Sequence, residues 1–256
     1  MSRIDFETSL CCPRCKNPFT KVSDKGICKK CGFKYQKKDG IWDFLYLPNK
    51  KFKKSQQGYE TLHKDISGGP GDGSYEILAS IARGNRSVDI ACGEGIIEKL
   101  AKDTIGIDFS LNALKKAKKF GIKNLVLADA SYLPFKENTF DLAISAGSLE
   151  HFPDPQKALS EMVRISKIQV ITVHKHPPIP FAKILRKFYN LVSGIKDQPI
   201  EEPQSAKKID KMFINANSHV VFKGVWTLPF NYGRIIKFLP EIKQIPSCYF
   251  YIAIKK

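Results

Sequence analysis

The sequence predicts an α/β fold: a mostly parallel, doubly wound sheet of seven strands with helices on both faces, preceded by a small cysteine-rich unit. Three observations carry this expectation. Short apolar runs end in an acid at Asp89, Asp108 and Asp129, and helical patterns separate them, which is the alternation of a parallel sheet. The first run, Val88–Ile90, enters Ala91-Cys92-Gly93-Glu94-Gly95, a glycine-rich turn that opens a helix. Five of the seven cysteines fall within the first 31 residues, four of them as two Cys-x2-Cys pairs.

The elements follow in order. After the turn, Ile97, Leu100 and Ala101 continue at helical spacing. Glycine in such a turn lets a ligand approach the backbone, and the N–H groups of the helix start face that ligand. Thr104–Asp108 is the second strand, its acid 19 residues beyond Asp89 and placed to accept both ribose hydroxyls of a nucleoside, with Phe109 beside it. Ser110 caps a helix with apolar positions Leu111, Leu114, Ala117 and Phe120. Residues 123–128 form the third strand, ending at Asp129-Ala130, and 140–145 the fourth, leading to Gly147-Ser148-Leu149-Glu150-His151. Asp154 as N-cap and Pro155 at the first helical position start the next helix. The fifth strand follows from Val170, and 219–228 and 247–254 are the last two, with a helix expected over 232–239.

The turn lacks the third glycine of a dinucleotide fingerprint, since Ile96-Ile97-Glu98 follows Gly95. The pattern Asp89-x-Ala91-Cys92-Gly93-x-Gly95 resembles instead the first motif of class I S-adenosylmethionine (SAM) methyltransferases, which have a Rossmann-like sheet. Ser148–Pro155 with Ala158–Arg164 is similar to the ubiquinone/menaquinone-methylase-like group, over roughly residues 76–176. The resemblance implies SAM as cofactor. Asp89, Ala91, Gly93 and Gly95 would hold its methionine end, Asp108 and Phe109 the ribose side, Asp129 and Ala130 the adenine, and Ser145 and Gly147 the methyl face. Glu150 and His151 are then the candidates for contact with the methyl acceptor. The group's usual Lys-Pro-Gly-Gly turn before the fifth strand is absent here. Cys92 has no base beside it in sequence and reads as a packing residue.

Cys12, Cys15, Cys28 and Cys31 have the spacing of a zinc ribbon. Four thiolates leave no open coordination position, so such an ion would be structural. The tail Asp39-Gly40-Ile41-Trp42 resembles small zinc-ribbon proteins that partner methyltransferases, and the two-part architecture resembles that of zinc-ribbon ribosomal RNA guanine methyltransferases. The expected organisation is a ribbon over 1–47, a basic lead-in and glycine-rich linker over 48–75, and a catalytic domain over 76–256 with an insertion at about 176–214. Tyr59, His63 and Tyr75 are candidate lid residues.

The chain of 256 residues carries a formal charge of +17. Residues 1–60 hold 14 Lys/Arg against 6 Asp/Glu, interleaved with Tyr35, Trp42, Phe44, Tyr46 and Phe52. Lysines meeting phosphates and aromatics stacking on bases make RNA the first expected acceptor. A small apolar or lipid-like acceptor is the alternative, favoured by an apolar helical stripe at Phe181, Ile184, Leu185, Phe188 and Val192 that would cap the pocket or touch a lipid surface. A non-catalytic RNA-binding module is the third reading. No apolar run is long enough to span a bilayer, and unpaired cysteines suit a reducing cytoplasm. The sequence does not fix an oligomeric state.

Overall fold

The computed structural model describes residues 6–19, 22–65, 73–174, 199–200, 202–228 and 245–256. Strands β1 (Lys25–Ile27), β2 (Lys34–Lys38) and β3 (Ile41–Asp43) precede helices α1 (Lys50–Asp65) and α2 (Ser74–Ala82). Then come β4 (Ser87–Ile90), α3 (Ile96–Leu100), β5 (Ile105–Asp108), α4 (Leu111–Lys119) and β6 (Leu125–Leu127). The chain continues through β7 (Phe140–Ala146), a 3-10 turn at Leu149–His151, α5 (Pro155–Ile165) and β8 (Ser166–His174). Helix α6 (Ala206–Asn215) and the strands β9 (Ser218–Leu228) and β10 (Ile245–Lys255) follow.

The strands form one sheet in the order β1-β2-β3-β6-β5-β4-β7-β8-β10-β9. Strands β3, β6, β5, β4, β7 and β8 run parallel, and the four at the two ends pair antiparallel. The expected seven strands are β4 to β10, and the count of ten corrects the expectation. The ribbon hairpin is not a separate sheet, because Ile41, Trp42 and Asp43 pair with Leu125, Val126 and Leu127. The order of the strands, not their direction, reverses between β4 and β7, which opens a crevice at their C-terminal ends.

Local chemistry explains the elements. Asp39 and Gly40 (φ 51° and 75°) make the two-residue turn between β2 and β3. Ser110 Oγ accepts the Ala113 N–H at 3.2 Å and Asp154 Oδ1 the Lys157 N–H at 3.0 Å, so both expected caps form. Helix α5 passes into β8 without a turn, and Ser166 Oγ donates back to the Met162 carbonyl at 2.7 Å. Two apolar assignments change: Leu100 is 37% exposed, and Phe120 is 54% exposed with Lys99 Nζ 3.2 Å from its ring centre. Both sit where a short helix ends and its stripe has turned to solvent.

The core crosses between ribbon and sheet. Leu10, Tyr35, Trp42 and Phe44 are buried in one cluster with Val88, Ile107, Phe135 and Phe140. Backbone hydrogen bonds tie the two parts, from Cys11 N–H to the Pro134 carbonyl at 3.0 Å and from Lys136 N–H to the Ser9 carbonyl at 2.8 Å. Glu161 on α5 is the polar joint. It accepts from Arg164 Nε at 2.7 Å, from the Leu133 N–H at 2.9 Å, and from Lys16 Nζ of the ribbon. Residues 48–75 are not only a linker, since 50–65 form α1. In the insertion, α6 buries Ile209, Met212 and Phe213. The stripe at 181–192 and the helix expected over 232–239 lie outside the described residues.

Candidate active site

The glycine turn after β4 takes the shape a ligand cradle needs. Ala91, Gly93 and Gly95 all have positive φ, at 64°, 56° and 76°. The two glycines differ in what surrounds them. A Cβ on Gly93 would meet nothing within 4 Å, so its open face points to the crevice. A Cβ on Gly95 would lie 2.1 Å from Ile122 Cδ1, so Gly95 is there for helix packing. Asp108, at the tip of β5, binds the turn from the side: Gly93 N–H donates to its Oδ2 at 2.9 Å and Ser110 N–H to its Oδ1 at 2.8 Å. Each carboxylate oxygen keeps a second lone pair for a ligand hydroxyl.

These groups border a cavity of about 250 Å³. Ala91, Gly93, Asp108 and Phe109 line one part of it, and Gly147, Ser148, His151 and His174 the other. Helix α1 closes the top with Tyr59, Leu62 and His63, and Tyr75 of α2 adds to the rim. The expected lid residues are therefore at the cavity, carried by a docked helix. Glu60 holds α1 down, accepting Ser110 Oγ–H at 2.9 Å and Asn112 N–H at 3.1 Å. A hollow of about 850 Å³ lies elsewhere, lined by Lys99, Lys102, Lys123 and neighbours, and it contains none of the strand-tip acids.

Other expected site residues do not reach the cavity wall. Asp89 is buried under the turn, where burial and the charges of Glu98 and Asp108 push its carboxyl well above the usual range. Glu98, which the sequence did not single out, is buried too and held up to about 8, chiefly by burial. Burial also raises Asp129 to about 6, and its Oδ1 accepts the Ser131 N–H at 2.7 Å. Ala130 and Ser145 stand outside the lining, and both are buried. Cys92 is buried with its thiol pushed well up, as a packing residue would be.

At the other end of the cavity Glu150 and His151 come together with His174, which the sequence reading missed. Glu150 is 1% exposed. Its Oε1 accepts the His174 backbone N–H at 3.0 Å and also contacts the ring Nδ1 of His174. Burial pushes this carboxyl up, but the His174 hydrogen bond and the two imidazoles outweigh it and hold it below its ordinary value. A Cβ on Gly147 would lie 2.6 Å from His174 Cε1, so the ring rests on the face of that glycine.

The matching profile is that of a methyltransferase domain, over residues 88–172. The chain carries a class I SAM-dependent methyltransferase domain. It is 36% identical to the human mitochondrial arginine-hydroxylase NDUFAF5 over 43% of this chain and 32% of that protein. It is 32% identical to a demethylmenaquinone methyltransferase of Renibacterium salmoninarum over 41% of this chain and 48% of that protein. The chain thus spans about a third of the one relative and about half of the other. A chain from the Haloferax volcanii complex of the Trm112 methyltransferase activator with a methyltransferase superposes with a TM-score of 0.56 at 15% identity, covering 82% of this chain and 99% of that one.

A second centre lies in the ribbon. Cys12, Cys15, Cys28 and Cys31 bring all four Sγ atoms within 4.8 Å of one another. The Cys12–Cys31 and Cys15–Cys28 separations are 3.5 and 3.6 Å. A tetrahedral zinc with Zn–S bonds of about 2.3 Å needs sulfur separations of about 3.8 Å, so the cluster fits that ion. Each knuckle closes by a backbone bond of 2.8 Å, Lys16 N–H to the Cys12 carbonyl and Gly32 N–H to the Cys28 carbonyl. Among the described residues no helix is long and apolar enough to cross a membrane.

Proposed function

We propose that the chain is a SAM-dependent methyltransferase acting on a compact acceptor enclosed beneath α1, with a structural zinc in its ribbon. The observation that carries this is the division of one cavity into a cofactor end, with the open face of Gly93 and the carboxylate of Asp108, and an acceptor end at Gly147, His151 and His174. SAM, when bound, supplies an electrophilic methyl group on a sulfonium. Asp108 would accept the ribose hydroxyls while holding the turn through the Gly93 N–H. Gly147 leaves room for the His174 ring at the acceptor end, and His151 in the cavity wall would orient the acceptor, with the buried Glu150 behind it holding His174. Tyr59, Leu62 and Tyr75 exclude water over the reacting groups.

The acceptor reading changes from RNA to a small molecule for a structural reason. Tyr35, Trp42, Phe44 and Phe52 are buried, and Tyr35, Trp42 and Phe44 stack on one another within the core. They are spent on packing and offer no surface to bases. The likeness to a demethylmenaquinone methyltransferase supports the compact, apolar alternative. The test is transfer of tritiated methyl from SAM into a small-molecule and lipid extract and, separately, into total RNA. Label in the extract that Asp108→Ala abolishes is the expected result. Label in RNA alone overturns the acceptor reading, and no label with no SAM binding overturns the activity.

A further inference from the structure

Three ligand atoms from two backbone segments, the Leu149–His151 turn and the end of β8, converge at the acceptor end, and positioning an acceptor does not require all of them. We propose that Glu150, His151 and His174 form a divalent transition-metal site at the acceptor end of the cavity. One nitrogen from each histidine and one oxygen from Glu150 lie within 4.8 Å of one another. An ion with bonds of about 2.0–2.2 Å to such ligands holds them roughly 3–3.5 Å apart, so the Glu150–His151 pair would close a little and the shorter Glu150–His174 contact would open.

The surroundings set up each ligand. His151 Nδ1 is 2.7 Å from the Ile200 carbonyl oxygen. A carbonyl only accepts, so Nδ1 carries the proton and Nε2 keeps its lone pair. That Nε2 is 3.9 Å from Glu150 Oε1. A histidine whose far N–H is pinned to a carbonyl is the arrangement that fixes tautomer and ring orientation in metal sites. Ile200 is itself anchored, since Tyr59 Oη–H donates to the same carbonyl at 3.0 Å. Glu150 is buried, and its Oε2 has no hydrogen-bond partner among the described residues. A buried carboxylate oxygen left without a donor is costly, and a cation supplies what it lacks. The ion would replace the proton that now joins Glu150 to His174.

Two imidazoles and one carboxylate are a donor set for zinc, manganese, iron, cobalt or nickel, not for calcium or magnesium. Three protein ligands leave positions open, and the His174 side chain is 52% exposed and belongs to the cavity lining. An acceptor oxygen bound there would be turned towards Gly147 and made more acidic by the ion. This deepens the methyltransferase reading, and rests on it for the choice of an oxygen nucleophile such as a phenol or enol.

The test is metal stoichiometry of the full chain. Purified protein is stripped, equilibrated with micromolar Zn²⁺, dialysed and assayed for bound metal, with Co²⁺ absorption in parallel. Wild type is expected to hold one equivalent more than Glu150→Gln and one more than His174→Ala. The lost Co²⁺ should be the one lacking thiolate charge-transfer bands. Cys15→Ala should lose the other equivalent. Equal stoichiometry in wild type and both cavity variants overturns the proposal. Circular dichroism and binding of S-adenosylhomocysteine to each variant separate a misfolded chain from an empty site. If wild type takes up the additional ion but no S-adenosylhomocysteine, the cofactor reading fails while the metal site stands.

Discussion

Replacing Glu161 by alanine tests whether ribbon and sheet are one cooperative unit. The Glu161 side chain is 9% exposed and receives Arg164, Lys16 and the Leu133 N–H. Arg164 is 17% exposed and also donates to the Phe135 carbonyl at 2.6 Å. Removing the carboxylate therefore leaves a largely buried guanidinium without its counter-charge, which costs about 3–5 kcal/mol. At about 2–4 °C per kcal/mol for a chain of this size class, the melting temperature should fall by roughly 6–20 °C. Lys16 is a third exposed, so Lys16→Met should cost only about 1 kcal/mol. The pH dependence has a definite sign. Burial pushes the Glu161 carboxyl up, but Arg164 and Lys16 outweigh it and hold it below its ordinary value. Its contribution is therefore present above the ordinary glutamate range and lost as pH falls through the folded value. Urea unfolding of wild type, Glu161→Ala and Glu161→Gln at several pH values measures both effects. A loss below about 1 kcal/mol at pH 7 for the alanine variant would refute the reasoning, because that is the worth of an ordinary surface pair.

The two turn glycines give a contrast. Gly95→Ala combines positive φ with a collision at Ile122 and should cost about 2–4 kcal/mol. Gly93→Ala meets no neighbour, should cost only about 1 kcal/mol, and should still weaken S-adenosylhomocysteine binding measured by calorimetry. Equal effects of the two on stability would count against their separate roles. Glu98→Gln should flatten stability against pH. The folded carboxyl keeps its proton to about 8 while the unfolded one ionises near 4.5, so wild-type stability falls as pH rises between them. The variant should gain a few kcal/mol relative to wild type by pH 8, less whatever its partner Asp89 takes up, and parallel pH profiles would sink the idea.

The parallel alternation of β4 to β8 with helices was legible because the first three of these strands lead into acids and two of the helices begin with caps that sequence can show. Ser110 and Asp154 are such caps, and both form. The cysteine spacing likewise announced a cluster that converges in space. What stayed hidden depends on pairing between distant segments. Nothing local in Ile41-Trp42-Asp43 states that it lies beside Leu125–Leu127, so the aromatics around it read as a surface when they are core. His174 was invisible for the same reason: it ends a strand 24 positions beyond Glu150, and only the β7–β8 register brings the two together. Asp89 shows the converse, since an acid at a strand tip suggests a ligand contact and here it lies buried under the turn, outside the cavity wall.

The junction between β3 and β6 bears on how the chain is made. Strand β6 would otherwise end the parallel sheet with open N–H and carbonyl groups, the kind of border that recruits a second chain during folding. The hairpin that covers it closes through local contacts and leaves the ribosome about 80 residues earlier than the strand it protects. The guard is thus in place before the exposed border exists. If the ribbon takes the proposed zinc, a shortage of that ion during synthesis would then register first as insoluble nascent protein, before any loss of activity in chains already folded.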